Sequence, residues 1–155
     1  QMIYMRVAVE TMVLRDFMEI QTPMVMEEIR HAIAVQKALI QTPGFEPEQF
    51  YRMDAQMHSL WFTAVKRQKL WDMLQAQQLH YTRFRMLDFI TETDFPRIIG
   101  EHEQLFELIC KKDLSGLEQV LKDHLYYSMK RMRHSIEVDY KDYFEEEPEE
   151  NRFVI

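Results

Sequence analysis

The sequence predicts an all-α protein, an antiparallel bundle of six helices. Three observations carry this reading. Apolar residues recur at three- and four-residue spacing almost throughout, which is the period of an amphipathic helix. Glycine, which marks turns and bulges, is scarce at 3 of 155 residues, while methionine, a good helix former, stands at 12. Pro23 after Thr22, Pro47 after Glu46 and Pro96 shortly after Asp94 occupy the first helical turn, where a missing N–H costs no hydrogen bond.

Taken in order, the first helix is expected over about residues 2–18, with Ile3, Arg6, Glu10, Val13 and Phe17 on one stripe and Arg6 able to pair with Glu10. The second, at about 23–40, carries Met26, Ile29, Ile33, Gln36 and Ile40, with His31 off the stripe. Thr42-Pro43-Gly44 is the clearest loop. After it the third helix, at about 47–66, carries Phe50, Asp54, Met57, His58, Trp61 and Val65. The fourth, at about 69–90, brings Leu74, Gln78, Tyr81 and Arg85 together. The fifth, at about 96–111, carries Ile98, His102, Leu105, Phe106 and Ile109. The tightest turn, Lys111 to Asp113, leads into the sixth, at about 114–138, with Leu117, Val120, Leu121, His124 and Ser128.

One domain is expected over 1–140, followed by a tail over 141–155. There the acidic run Glu145 to Glu150, broken by Pro148, has no periodicity and reads as a solvated segment. A chain of this length buries roughly 70% of its unfolded surface, so the core needs no staples. Cys110 is the single cysteine, so no intramolecular disulfide can form, and a cytoplasmic location follows as the expectation. No apolar run approaches the roughly 20 residues of a membrane span. A net charge of −7 argues against this chain gripping phosphate backbones by itself. The chain opens at Gln1 already inside a helical pattern, as an excised part of a longer protein would.

The informative residues are ionisable ones on apolar stripes. An unpaired buried carboxylate costs several kcal/mol, so Asp54 needs a cation or strong hydrogen bonds. Asp54 and His58, four residues apart, stack on one helical face about 5–6 Å apart at Cβ. His102 lies about ten residues before the turn at 111–113 and His124 about eleven after it, so an antiparallel hairpin brings both imidazoles to one level. Asp54, His58, His102 and His124 together form a candidate site for one divalent metal: zinc foremost, with nickel, iron or manganese as alternatives. A lone inward histidine is more often a hydrogen-bonded core residue, but three of them plus an inward aspartate reverse those odds. His31, His80 and His134 read as structural or surface residues. An inward arginine near a metal suits a carboxylate ligand, which places Arg6, Arg85 and the neighbouring Tyr81 as candidate effector contacts, against the alternative of a structural ion pair.

Rival chemistries lack their motifs. A di-iron bundle wants two Glu-x-x-His motifs, and only Glu28 to His31 is present. There is no His-Glu-x-x-His and no Gly-rich phosphate loop. A metal-dependent enzyme acting on a small acid is the alternative reading; it needs a titratable group beside metal-bound water, for which Glu10 and Glu101 are the candidates.

At these residues the chain resembles the FCD domain, the C-terminal effector-binding domain of GntR-family bacterial transcription regulators of the FadR subfamily. The resemblance rests on Arg6-Val-Ala-Val-Glu10, Asp54-Ala-Gln-Met-His58, Arg83-Phe-Arg85, Glu101-His102 with the apolar helix after it, Asp113 at the following turn, and Asp123-His124-Leu125. It covers about residues 3–134. Where the family often has Ser-Gly-Asn after the third helix, this chain has Val65-Lys66-Arg67. The resemblance implies a bundle of six to seven helices around a cavity with a metal at its floor, where a small organic or sugar acid completes the coordination. It also implies a regulator rather than an enzyme, acting as a homodimer and contacting DNA only through an N-terminal winged-helix domain absent from this chain.

Overall fold

The computed structural model describes the backbone of residues 2–77 and 94–138, and the side chains of 3–77 and 94–127. Among the described residues the chain is all-helical, with six helices: α1 (Met2–Ile20), α2 (Pro23–Leu39), α3 (Pro47–Ala64), α4 (Gln68–Gln77), α5 (Phe95–Lys111) and α6 (Leu114–Val138). Each expected helix is present, with ends displaced by no more than two residues wherever both ends are described. The continuation of the fourth helix to about residue 90, and with it Tyr81, Arg85 and His80, lies outside the described residues, as does the tail; the side chain of His134 does too. No described helix is long and apolar enough to cross a membrane.

Local chemistry sets the helix ends. Thr22 accepts a hydrogen bond from the Val25 amide, with Pro23 in the first turn of α2, and Asp94 accepts one from Arg97 N (3.0 Å) at the start of α5. Asp113 does the same for α6 through Gly116 N (3.0 Å). Each oxygen satisfies one of the amides that a helix start leaves without a partner. α3 begins at Pro47 behind Glu46 without a side-chain cap.

Two helices end in left-handed lysines. Lys66 (φ 60°) follows α3 and Lys112 (φ 55°) follows α5. The next amides, Arg67 N and Asp113 N, reach back to Phe62 O (2.7 Å) and Leu108 O (3.0 Å). This closure turns the chain within two residues, and glycine is the residue that adopts it without strain. Lys66 therefore stands where glycine would be unstrained, and the tight turn forms regardless. Lys66→Gly should stabilise the domain by about 0.5–1 kcal/mol, seen as a rise of roughly 2 °C in Tm by calorimetry.

Packing follows the stripes. α1 lies against α3 and α6, α2 against α3 and α5, and α5 and α6 form a hairpin across the turn at Lys112. Phe17, Leu14, Ile29, Phe50, Met57, Trp61, Phe62, Leu105, Ile109, Leu117 and Leu121 fill the core. Phe50 and Phe45 meet Phe95 at ring-centroid distances of 4.8 and 5.2 Å, which pins the start of α5 against α3. Those contacts fix the rotation of α3 and α5, and hence where their inward polar residues point.

Candidate metal centre

Three helices deliver the polar cluster. α3 supplies Asp54 and His58 one turn apart, α5 supplies His102, and α6 supplies His124. All four are buried, at 5%, 0%, 1% and 8% exposure respectively. The histidine rings gather pairwise, with centroids 5.5 Å apart for His58–His102, 5.3 Å for His58–His124 and 4.8 Å for His102–His124. Asp54 Oδ1 lies 3.1 Å from His102 Nε2 and 3.8 Å from His58 Nε2. One nitrogen or oxygen from each of the four residues can be chosen so that all lie within 4.8 Å of one another.

Behind each ring stands an acceptor. His58 Nδ1 meets Glu10 Oε1 from α1, His102 Nδ1 meets Gln36 Oε1 from α2 (2.7 Å), and His124 Nδ1 meets Glu101 Oε2 from α5 (2.9 Å). An ionised carboxylate can only accept, so Nδ1 carries the proton in His58 and His124, and the Nε2 lone pair is left for something else. Gln36 presents its oxygen and asks the same of His102. His58 Nε2 and His102 Nε2 are buried and make no hydrogen bond. Buried polar atoms are rarely left so, and a cation at the centre of the cluster would satisfy them.

Electrostatics suit the same purpose. Burial, helped by the neighbouring imidazoles, outweighs the pull of Asp54 and lowers His102 to about 4. Burial also lowers His124 against the opposing pull of Glu101. Both rings are therefore neutral near pH 7, the form that binds a metal. Glu10 feels the opposite balance: burial alone would raise it, but His58 and Arg6 beside it hold it at about 2. For Glu101 too, burial acts upward and is outweighed by the hydrogen bonds from His124 and Arg97, so it stays below the usual carboxylate range.

The residues present thus fit a divalent cation. Asp54, His58, His102 and His124 would hold it, a set of one oxygen and three imidazole nitrogens. When bound, such an ion would supply a positive centre that attracts an anionic ligand. Nδ1-bound acceptors behind metal-binding imidazoles are the arrangement that fixes ring orientation and raises ligand basicity.

Arg6 is buried, donates from Nε to Glu10 Oε2 (3.1 Å), and has its guanidinium carbon 5.7 Å from the centroid of Trp71. The ion pair expected on the first stripe is therefore made. Tyr81 and Arg85, the other expected effector contacts, lie outside the described residues. His31 is exposed, as its place off the stripe implied. Gln36 is the participant that the sequence reading passed over, although it sits on the α2 stripe among isoleucines. A fully buried amide on an apolar stripe is itself the signal that a polar partner faces it.

The FCD domain family model matches residues 1–127 of the chain. Comparison with curated proteins returns no match. The match spans most of the chain and coincides with the helical bundle that carries the Asp54, His58, His102 and His124 cluster; the chain belongs to the FCD domain family, whose regulatory domains serve effector binding in GntR-type regulators.

Proposed function

We propose that this domain senses a small carboxylate metabolite, an organic or sugar acid, through a divalent metal held by Asp54, His58, His102 and His124. The observation that carries the reading is the convergence of four buried donors, two of them ring nitrogens with no hydrogen bond, at one level of the bundle. Zinc suits this donor set best, with nickel, iron and manganese compatible. The effector carboxylate would complete the coordination. Arg6 keeps guanidinium donors beyond the one spent on Glu10, and an arginine grips a carboxylate through paired N–H groups. Tyr81 and Arg85 are proposed as further effector contacts on the strength of the sequence alone.

In this reading the protein is a cytoplasmic, homodimeric GntR-family regulator. Its DNA contacts are made by a winged-helix domain outside the present sequence, and effector binding shifts helices that such a domain reads. Couplings of this kind are typically about 1–3 kcal/mol. The reading of the cluster as an enzyme's metal centre is disfavoured by what Glu10 and Glu101 do. Both carboxylates are engaged with the Nδ1 side of an imidazole and with an arginine, Arg6 and Arg97 respectively, which leaves neither free as a base. Titration calorimetry of zinc-loaded protein against a panel of small organic and sugar acids tests the proposal. At least one acid should bind saturably and lose that binding when the metal is removed by chelator. Absence of binding across the panel, or binding indifferent to the metal, would sink it.

A further inference from the structure

The three imidazoles differ in what stands behind them. Glu10 is charged, fully buried and fixed from two sides: Arg6 Nε donates to its Oε2 (3.1 Å) and Trp61 Nε1 to its Oε1 (3.1 Å). Glu101 is also a carboxylate, but its side chain is 14% exposed and is shared between His124 and the half-exposed Arg97 (2.9 Å). Gln36 is buried but neutral, and its amide nitrogen makes no hydrogen bond. We infer that Glu10 is the positioning residue of the site, fixing His58 as its anchoring ligand, so that metal affinity depends more on Glu10 than on Glu101 or Gln36. The inference rests on the reading of the four residues as a metal centre.

Charge, exposure and freedom set Glu10 apart from Glu101 and Gln36. An acceptor-only oxygen obliges His58 Nδ1 to carry the proton and turns Nε2 toward Asp54 and His102. A full negative charge behind the ring raises its donor strength, and it does so most in surroundings that water does not screen. Glu101 performs the same act nearer solvent, where water screens its charge. Gln36 lacks the charge, and an amide can present either its oxygen or its nitrogen, so it restrains His102 less firmly. Trp61, three residues beyond His58 on α3, both packs edge-on against that ring at 4.9 Å and donates to Glu10. α1 thus contributes no ligand to the cluster yet sets one through Arg6 and Glu10, with Trp61 of α3 holding the same carboxylate.

The test is metal affinity, measured on the full chain by competition with a chromophoric chelator, alongside the ligand-field spectrum of the cobalt(II) form. Glu10→Gln should weaken zinc binding by about 10–100-fold and shift the cobalt spectrum, whereas Glu101→Gln should lose less than about tenfold. Glu10→Gln with parental affinity and spectrum overturns the inference, and so does a loss in Glu101→Gln as large or larger. If Glu10→Gln does not fold, proton NMR of the zinc-loaded parent decides: the His58 Nδ1 proton should be the most downfield of the three, and any other order overturns the inference. If the parent binds neither metal, the metal-centre reading itself fails, an outcome distinct from a parent that binds and a variant that binds equally well.

Discussion

His102→Ala or His124→Ala should each lower zinc affinity by at least about two orders of magnitude. A structural zinc site contributes roughly 10–16 kcal/mol, so one of four ligands accounts for roughly 3 kcal/mol, and about 1.4 kcal/mol is tenfold in an equilibrium constant. Both rings are buried and face the same centre at a centroid separation of 4.8 Å. His31, exposed on α2, is the natural control, and His31→Ala should leave affinity unchanged. The measurement is a chelator-competition titration of metal-stripped protein. If either ring can be removed with less than a tenfold loss, that residue is not a ligand.

The largest effect on stability is expected at Arg6. Arg6→Ala leaves Glu10 charged and fully buried with its cation gone, and breaking a buried pair from one side costs about 3–5 kcal/mol. Against a total stability of roughly 5–15 kcal/mol, that is about a fifth or more of what holds a domain together. Removing both members changes the sign of the argument. An Arg6→Leu, Glu10→Gln pair leaves no charge to bury and keeps an acceptor for His58 Nδ1 and Trp61 Nε1, so the double variant should be more stable than Arg6→Ala. Urea unfolding of the metal-free proteins reads both.

Much of the site was legible because helical periodicity and one tight turn sufficed. His102 and His124 sit about equally far from the turn, and that turn closes at Lys112 within two residues, so counting outward from it places them at one level. Asp54 and His58 needed only the i,i+4 rule and the rotation of α3, which the apolar neighbours Phe50, Met57 and Trp61 dictate. The acceptors behind the rings were harder to read. Gln36 lay on a stripe, but pairing it with His102, 66 residues away, depends on which helix α2 packs against, and a stripe does not say. Glu101 shows the same limit at short range. It adjoins His102 in sequence, yet successive helical residues point about 100° apart, so its carboxylate turns to His124 across the hairpin instead. Glu10 was visible as a partner for Arg6. Its second role toward His58 needed α1 and α3 to be packed together.

X-ray absorption spectroscopy at the zinc edge of the metal-loaded domain tests the central claim most directly, because it reads the donors around the ion. Three imidazoles with the remaining ligands oxygen, and no sulfur, is the expected result, given Asp54, His58, His102 and His124 at the centre and Cys110 exposed on the surface. Two or fewer imidazoles, a thiolate, or a protein that retains no zinc would contradict it.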